Sequence, residues 1–252
     1  MRRSRRIPIG RHIWGPVLRF LISLFLKIEM TGLEHLPKTG AGIIYYNHIH
    51  WLDPVLISGK MPRYTVPLAK IETSRWPVVG ALMSWYHVIF IKRGAVDREA
   101  LKATWDVLAK GHICTISPEG TRSPDMRLQR AKEGLAFVAK QAPDAWLIPC
   151  AVQGTPAFSW SFKAILHHPV VTLRLGPAFK LTWPERPDRD VLRAMTDEAM
   201  VQLAQLLPTE TRGDYADSDP ERHRWLEFLE AGSWKLETGN WKLEAGNWKL
   251  EA

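Results

Sequence analysis

From Gly32 onward, short apolar runs alternate with longer stretches in which apolar residues recur at helical spacing. The runs at 43–46, 64–68, 88–91, 113–116, 146–152 and 170–175 are rich in β-branched and aromatic residues, which predicts buried strands. Between them, the stretch 99–109 sets Leu101, Trp105 and Leu108 on one helical face, and 132–141 does the same with Leu135, Val138 and Ala139. A further helix is predicted to start after Asp188 as N-cap and to end before Pro208, burying Val191, Leu192, Met195, Ala199 and Leu203. Strands and helices in alternation predict an α/β fold with a central mixed sheet flanked by helices.

The two ends depart from this pattern. Arg2, Arg3, Arg5, Arg6, Arg11, Arg19 and Lys27 precede a single acid, Glu29, and flank an apolar run at 17–26. Arg19 and Ser23 interrupt that run, which is too short for a membrane span, and no small-residue cleavage site marks it as a secretory signal. Two readings remain: an interfacial helix, with Trp14, Leu18, Leu21, Ile22 and Phe25 toward lipid and the arginines toward the headgroups, which is the favoured expectation, and a helix packed on the protein's own core with a solvated basic tail. Past Gly213 an acidic linker at 214–221 leads to Trp-Lys-Leu-Glu repeats of period seven at 234–237, 241–244 and 248–251. Gly and Asn between the repeats oppose a long helix, so the tail is read as having little fixed structure. Three segments follow: a basic, membrane-interfacial stretch 1–30, a catalytic-size domain 31–213 and the tail 214–252.

Composition narrows the setting. With 252 residues, 46% of them hydrophobic, the chain can bury one core. Cys114 and Cys150 each fall inside an apolar run, as small buried residues in a reducing compartment do. A net charge of +8 suits an anionic membrane surface or a phosphorylated substrate. Nucleic acid is not expected as a partner, because no recognition motif or basic-aromatic interleaving is present.

Candidate chemistry gathers at strand exits. Asn47-His48-Ile49-His50-Trp51-Leu52-Asp53 follows the run at 43–46, and a tight turn could let Asp53 accept a hydrogen bond from one nitrogen of His48, leaving the other as a base. Residues 88–94 end in Lys92 and Arg93, and residues 117–123, Ser-Pro-Glu-Gly-Thr-Arg-Ser, supply a carboxylate, a Gly, a hydroxyl and Arg122. A base, two arginines and a Gly-containing turn at one sheet edge are what transfer to a phosphate-bearing alcohol requires.

These blocks resemble the 1-acyl-sn-glycerol-3-phosphate acyltransferase family. The resemblance rests on Asn47-His48-x4-Asp53, Phe90-Ile91-x-Arg93, Pro118-Glu119-Gly120-Thr121-Arg122-Ser123 and Ile148-Pro149, with Ala69-Lys70, Pro77, Gly80 and Lys132-x-Gly134 as matching spacers, over roughly residues 14–213. It implies transfer of an acyl group from acyl-CoA or acyl-carrier protein to the free hydroxyl of a lysophospholipid; 1-acylglycerol 3-phosphate giving phosphatidic acid is the leading expectation, other acceptors stay open, and the basic N-terminus and the cysteines add the cytoplasmic face of a membrane as the expected setting. It implies no cofactor and no metal. In this pattern His48 is the general base and Asp53 orients it. Arg93 and Arg122, with Lys70 assisting, hold the acceptor phosphate, and Glu119, Gly120 and Thr121 shape the acceptor turn.

One position departs from the family. His50 stands where Ser is usual and creates His-x-His-x-x-Asp, which alone would read as a metal-ligand cluster. Two competing readings follow: a metal-dependent hydrolase using His48, His50 and Asp53, and a catalytically silent membrane-binding protein that keeps the fold.

Overall fold

The computed structural model describes residues 20, 23–92, 97–132, 134–158, 168–228, 241–244 and 247–250. Strands β1 (Lys27–Thr31), β2 (Gly42–Tyr46), β3 (Thr65–Lys70), β4 (Ile89–Ile91), β5 (Ile113–Ile116), β6 (Trp146–Gln153), β7 (Val170–Leu175), β8 (Phe179–Leu181) and β9 (Leu226–Phe228) form one mixed sheet. Its main path runs β1-β7-β6-β2-β5-β3-β4, with β8 joined to β6 and β9 to β8. Strands β6, β2, β5, β3 and β4 are mutually parallel along that path. β7 runs antiparallel to β6, and β1 is parallel to β7.

Parallel strands need crossovers, and the helices supply them. The crossovers are α1 (Asp53–Lys60), α2 (Pro77–Trp85), α3 (Arg98–Ala109) and α4 (Gly134–Lys140), while α5 (Arg189–Gln205) lies between the antiparallel pair β8 and β9. Each parallel strand therefore ends at the same edge of the sheet, and the loops leaving β2, β3, β5 and β6 meet there. This carboxyl edge is where ligands bind in open α/β sheets.

The pleat divides the core between the two faces. Ile43 and Tyr45 of β2 pack with Leu135, Met195, Ala199 and Leu203 of α4 and α5. Ile44 and Tyr46 pack instead with Leu56 and Ile57 of α1 and with Leu26. Every residue of β2 is buried, as expected of a central parallel strand covered on both faces. The Tyr45 hydroxyl, which could not stay unpaired there, donates to the Ala199 carbonyl at 2.8 Å. Asp188 caps α5 by accepting from the Val191 amide at 2.8 Å, and the helix stops three residues before Pro208. Cys114 and Cys150 are free and fully buried in strands.

The segment boundaries read from sequence shift at both ends. Residues 27–30, assigned to the interfacial stretch, belong to β1, because Ile28 and Met30 alternate inward and the backbone pairs with β7 in register Lys27↔Val170. The fold also continues past 213. Tyr215 is buried, and β9 pairs with β8 in register Phe179↔Phe228, so residues 214–228 lie on the domain. The expected interfacial helix falls almost wholly outside the described residues. Among the described residues no helix is long and apolar enough to cross a membrane. In the tail, β10 (Trp241–Glu244) and β11 (Asn247–Leu250) pair antiparallel with Leu243 opposite Trp248.

Candidate active site

β2 is buried to its last residue, and the chain leaves it through Asn47. The Asn47 side chain donates to the Val152 carbonyl at 2.9 Å and accepts from the Val152 amide at 2.8 Å, as a further ladder step between β2 and β6. The following residues are thereby fixed to the carboxyl edge before any loop begins.

His48 and Asp53 come together there. His48 Nδ1 lies 2.9 Å from Asp53 Oδ2, with Asp53 fully buried and His48 8% exposed. The pairing follows from local geometry: Asp53 opens α1, with Pro54 in the first turn, and its carboxylate folds back over the preceding turn. Oδ2 also accepts from the amides of Ile49 at 2.8 Å and His50 at 2.7 Å, and Oδ1 accepts from the Thr155 hydroxyl at 2.7 Å. A buried carboxylate needs such partners. Because the acceptor-only carboxylate accepts a hydrogen bond from Nδ1–H, a neutral His48 imidazole has Nε2 free as a base.

The 117–123 turn grips the same histidine by its backbone. The His48 amide donates to Glu119 Oε1 at 2.7 Å, and the His48 carbonyl accepts from the Ser123 amide at 2.7 Å. Glu119 Oε2 accepts from the Gln129 amide at 3.0 Å. Glu119 is 2% exposed, and both of its oxygens are engaged by main chain. The turn closes through Gly120, whose φ of 69° suits a residue without a side chain and whose amide donates to the Ser117 carbonyl. Thr121 and Arg122 are exposed on its far side. Together with Ile49, Ser123 and Pro124 they line a cleft of about 330 Å³.

The structure sorts the other sequence-predicted residues. Lys70 ends β3 on the same sheet edge, half exposed, with its ammonium 3.3 Å from Glu72. Arg93 lies outside the described residues. His50 gives Asp53 its backbone amide, while its ring packs 5.5 Å from Trp51 and 6.2 Å from Phe158. Burial lowers the pKa of His50; Asp53 opposes this, and the charges of Arg122 and His48 add to it. Its buried Nδ1 has no partner, which suits a neutral ring protonated at Nε2. Among the described residues no group of three or more His, Cys, Asp or Glu is placed to hold a metal ion.

Sequence reading missed Thr155. Its signal is faint, a Gly-Thr-Pro step just after β6, where Gly154 at φ 82° turns the chain so closely that a Cβ would stand 2.2 Å from the Val170 carbonyl. That turn delivers the hydroxyl to Asp53.

The chain is an acyltransferase by family. The profile of the family described as Acyltransferase matches residues 27–153, and the chain belongs to that family. Among curated relatives, a Bacillus subtilis protein named 1-acyl-sn-glycerol-3-phosphate acyltransferase is 27% identical over 192 residues, covering 75% of this chain and 92% of the relative. A chloroplastic 1-acyl-sn-glycerol-3-phosphate acyltransferase of Arabidopsis thaliana is 35% identical over 138 residues, which is 52% of this chain and 37% of that protein's length. The crystal structure of the 1-acyl-sn-glycerophosphate (LPA) acyltransferase PlsC from Thermotoga maritima superposes with a TM-score of 0.56 at 22% identity, covering 78% of this chain and 81% of that one, a likeness of fold.

Glu119 yields a prediction in pH. Burial pushes its carboxyl up to about 7, outweighing the two amide hydrogen bonds that favour the anion, with Asp53 and Asp125 raising it further. Its folded pKa lies above its unfolded value, so the folded state binds the extra proton between them. The stability contributed by this group therefore falls as pH rises from about 4.5 to about 7, then levels off. Glu119→Gln cannot titrate. In denaturant unfolding the wild type should lose stability relative to Glu119→Gln between about pH 4.5 and about pH 7, on the order of a few kcal/mol. Parallel pH profiles would contradict the assignment.

Proposed function

We propose that this acyltransferase moves a fatty acyl group from a thioester donor, acyl-CoA or an acyl-carrier protein, to the free hydroxyl of a lysophospholipid, with 1-acylglycerol 3-phosphate as acceptor and phosphatidic acid as product. The observation that carries the reading is the His48–Asp53 pair, a base with a buried orienting carboxylate at a strand exit. The names of the relatives add the acceptor.

In this reading His48 Nε2 takes the proton of the acceptor hydroxyl while that oxygen attacks the thioester carbonyl. Asp53 steadies the imidazolium. The tetrahedral adduct then collapses with cleavage of the C–S bond, and His48 returns the proton to the leaving thiolate. The acceptor oxygen is itself the nucleophile, so no acyl-enzyme is required. Neither cysteine offers one, since both are fully buried and burial raises both thiols. Arg122, exposed beside the cleft, is assigned to the acceptor phosphate, with Arg93 and Lys70 as further cations and Gly120 and Thr121 shaping the turn. Glu119 is assigned to support of His48, because its oxygens are taken by main chain. Residues 1–24, together with the anionic membrane surface they would contact, are assigned to holding the enzyme at the cytoplasmic face, whereas Phe25 and Leu26 pack on the core.

Two variants test this. His48→Ala should lower acyl transfer by about 10² to 10⁴ while thermal unfolding stays close to wild type; near-normal turnover would contradict the mechanism. Arg122→Ala should raise the KM for 1-acylglycerol 3-phosphate by about tenfold or more, from the loss of roughly 1.5 to 3 kcal/mol of charged hydrogen bonding. The KM for the thioester should change little. An equal rise in both would mark Arg122 as structural.

A further inference from the structure

Eight large apolar side chains are exposed on the described residues, and their placement is uneven. Trp51 leaves β2, Trp76 follows β3, and Met126 lies in the loop after β5, all at the carboxyl edge of the sheet. Because β7 runs antiparallel to β6, its first residue, Val170, lies at that same edge. β1 enters beside it, with the Lys27 amide bonded to the Pro169 carbonyl, so Phe20 and Leu24 arrive there too. Of the eight, this leaves only Leu82 along α2 and Phe137 on α4 away from it.

The presentation of these side chains is built. Trp76 stands at the corner between the 3₁₀ turn Ile71–Arg75 and α2, 55% exposed. The corner is tight: the Gly80 amide donates to the Trp76 carbonyl at 2.7 Å, and a Cβ on Gly80 would stand 2.1 Å from the Ser74 carbonyl oxygen. Met126 has a φ of 63°, a left-handed conformation for a residue with a side chain, and is 51% exposed. Asp125 holds that tip by accepting from the Ser123 hydroxyl at 2.8 Å and the Arg127 amide at 3.2 Å. Around these tips the exposed cations Lys70, Arg75, Lys92, Arg122 and Arg127 outnumber the exposed acids Glu72, Asp125 and Asp214.

We propose that the carboxyl edge of the catalytic domain is itself a bilayer-contact surface, with Trp76 and Met126 as its insertion points beside the basic N-terminal segment. Aromatic and flexible apolar tips ringed by cations match an anionic headgroup layer, where Trp rings settle at the interface and basic side chains meet phosphate. His48 opens at this same edge, so a lipid acceptor would reach it without leaving the membrane. The inference rests on the lipid acceptor proposed above for its purpose, but the dye arm of its test does not.

The test uses the full chain with single cysteines at Trp76→Cys, Met126→Cys and, as control, Phe137→Cys, each labelled with an environment-sensitive nitrobenzoxadiazole dye. Cys114 and Cys150 are fully buried and should not react. Without any substrate, vesicles of phosphatidylcholine and phosphatidylglycerol should blue-shift and brighten the dye at 76 and 126 but leave it unchanged at 137. No response at 76 and 126, an equal response at 137, or a response only to an acidic acyl-carrier protein would overturn the proposal. A Trp76→Glu/Met126→Glu double variant should lose about tenfold or more in kcat/KM on vesicle-embedded acceptor. It should keep wild-type turnover on a short-chain acceptor monomeric in water, which also shows that it folds. Equal loss on both acceptors would overturn the surface assignment, whereas a wild type inactive on both would overturn the acyl-transfer reading and leave the dye result to decide the surface.

Discussion

The site depends on one buried carboxylate. Asp53 is inaccessible to solvent, yet its oxygens meet the His48 ring, the Ile49 and His50 amides and the Thr155 hydroxyl. Burying a charge costs several kcal/mol unless such partners are fixed in place. The same donors therefore satisfy the anion and set the loop: the chain from 48 to 53 must curl around the carboxylate, and β6 must deliver Thr155 from across the sheet. His48 owes its orientation to that requirement and not to packing alone.

Topology explains why distant blocks converge. Five parallel strands end at one edge, so the loops after β2, β5 and β6 become neighbours although they are separated by some 70 to 100 positions. The contacts are specific. Glu119 and Ser123 take the His48 amide and carbonyl, and Asn47 locks β2 to Val152. A block of sequence that looks like a substrate-binding turn thus works in part as scaffolding. Its outward residues, Thr121 and Arg122, are exposed, while Glu119 turns inward.

Much of this was legible in sequence. The strands at β2, β5 and β6 are continuous apolar runs because both faces are covered, and α5 carries a long apolar stripe with an Asp cap. The His48–Asp53 pairing was legible as well, since it is local. β1 was not, because its alternating Lys-Ile-Glu-Met follows a basic apolar stretch and reads as part of it. α1 and α2 are short, of 8 and 9 residues, and begin at Pro-containing turns, so periodicity gave little to detect. β9 is only three residues long, follows an acidic stretch and exists through pairing with β8. Thr155 and the inward turn of Glu119 are tertiary facts, set by which strand exits adjoin. His50 shows the reverse limit: a spacing that suggests a metal places a backbone amide, not a ring, on Asp53.

The central claim is that Asp53 fixes the proton of neutral His48 on Nδ1 and exposes Nε2 as the base. Two-dimensional ¹⁵N–¹H NMR of histidine-labelled protein, with His48 assigned by comparison with His48→Gln, reads this directly. The account predicts a protonated Nδ1 and a bare Nε2 for His48, lost in Asp53→Asn. A neutral His48 protonated at Nε2, or a tautomer unchanged in Asp53→Asn, would contradict it.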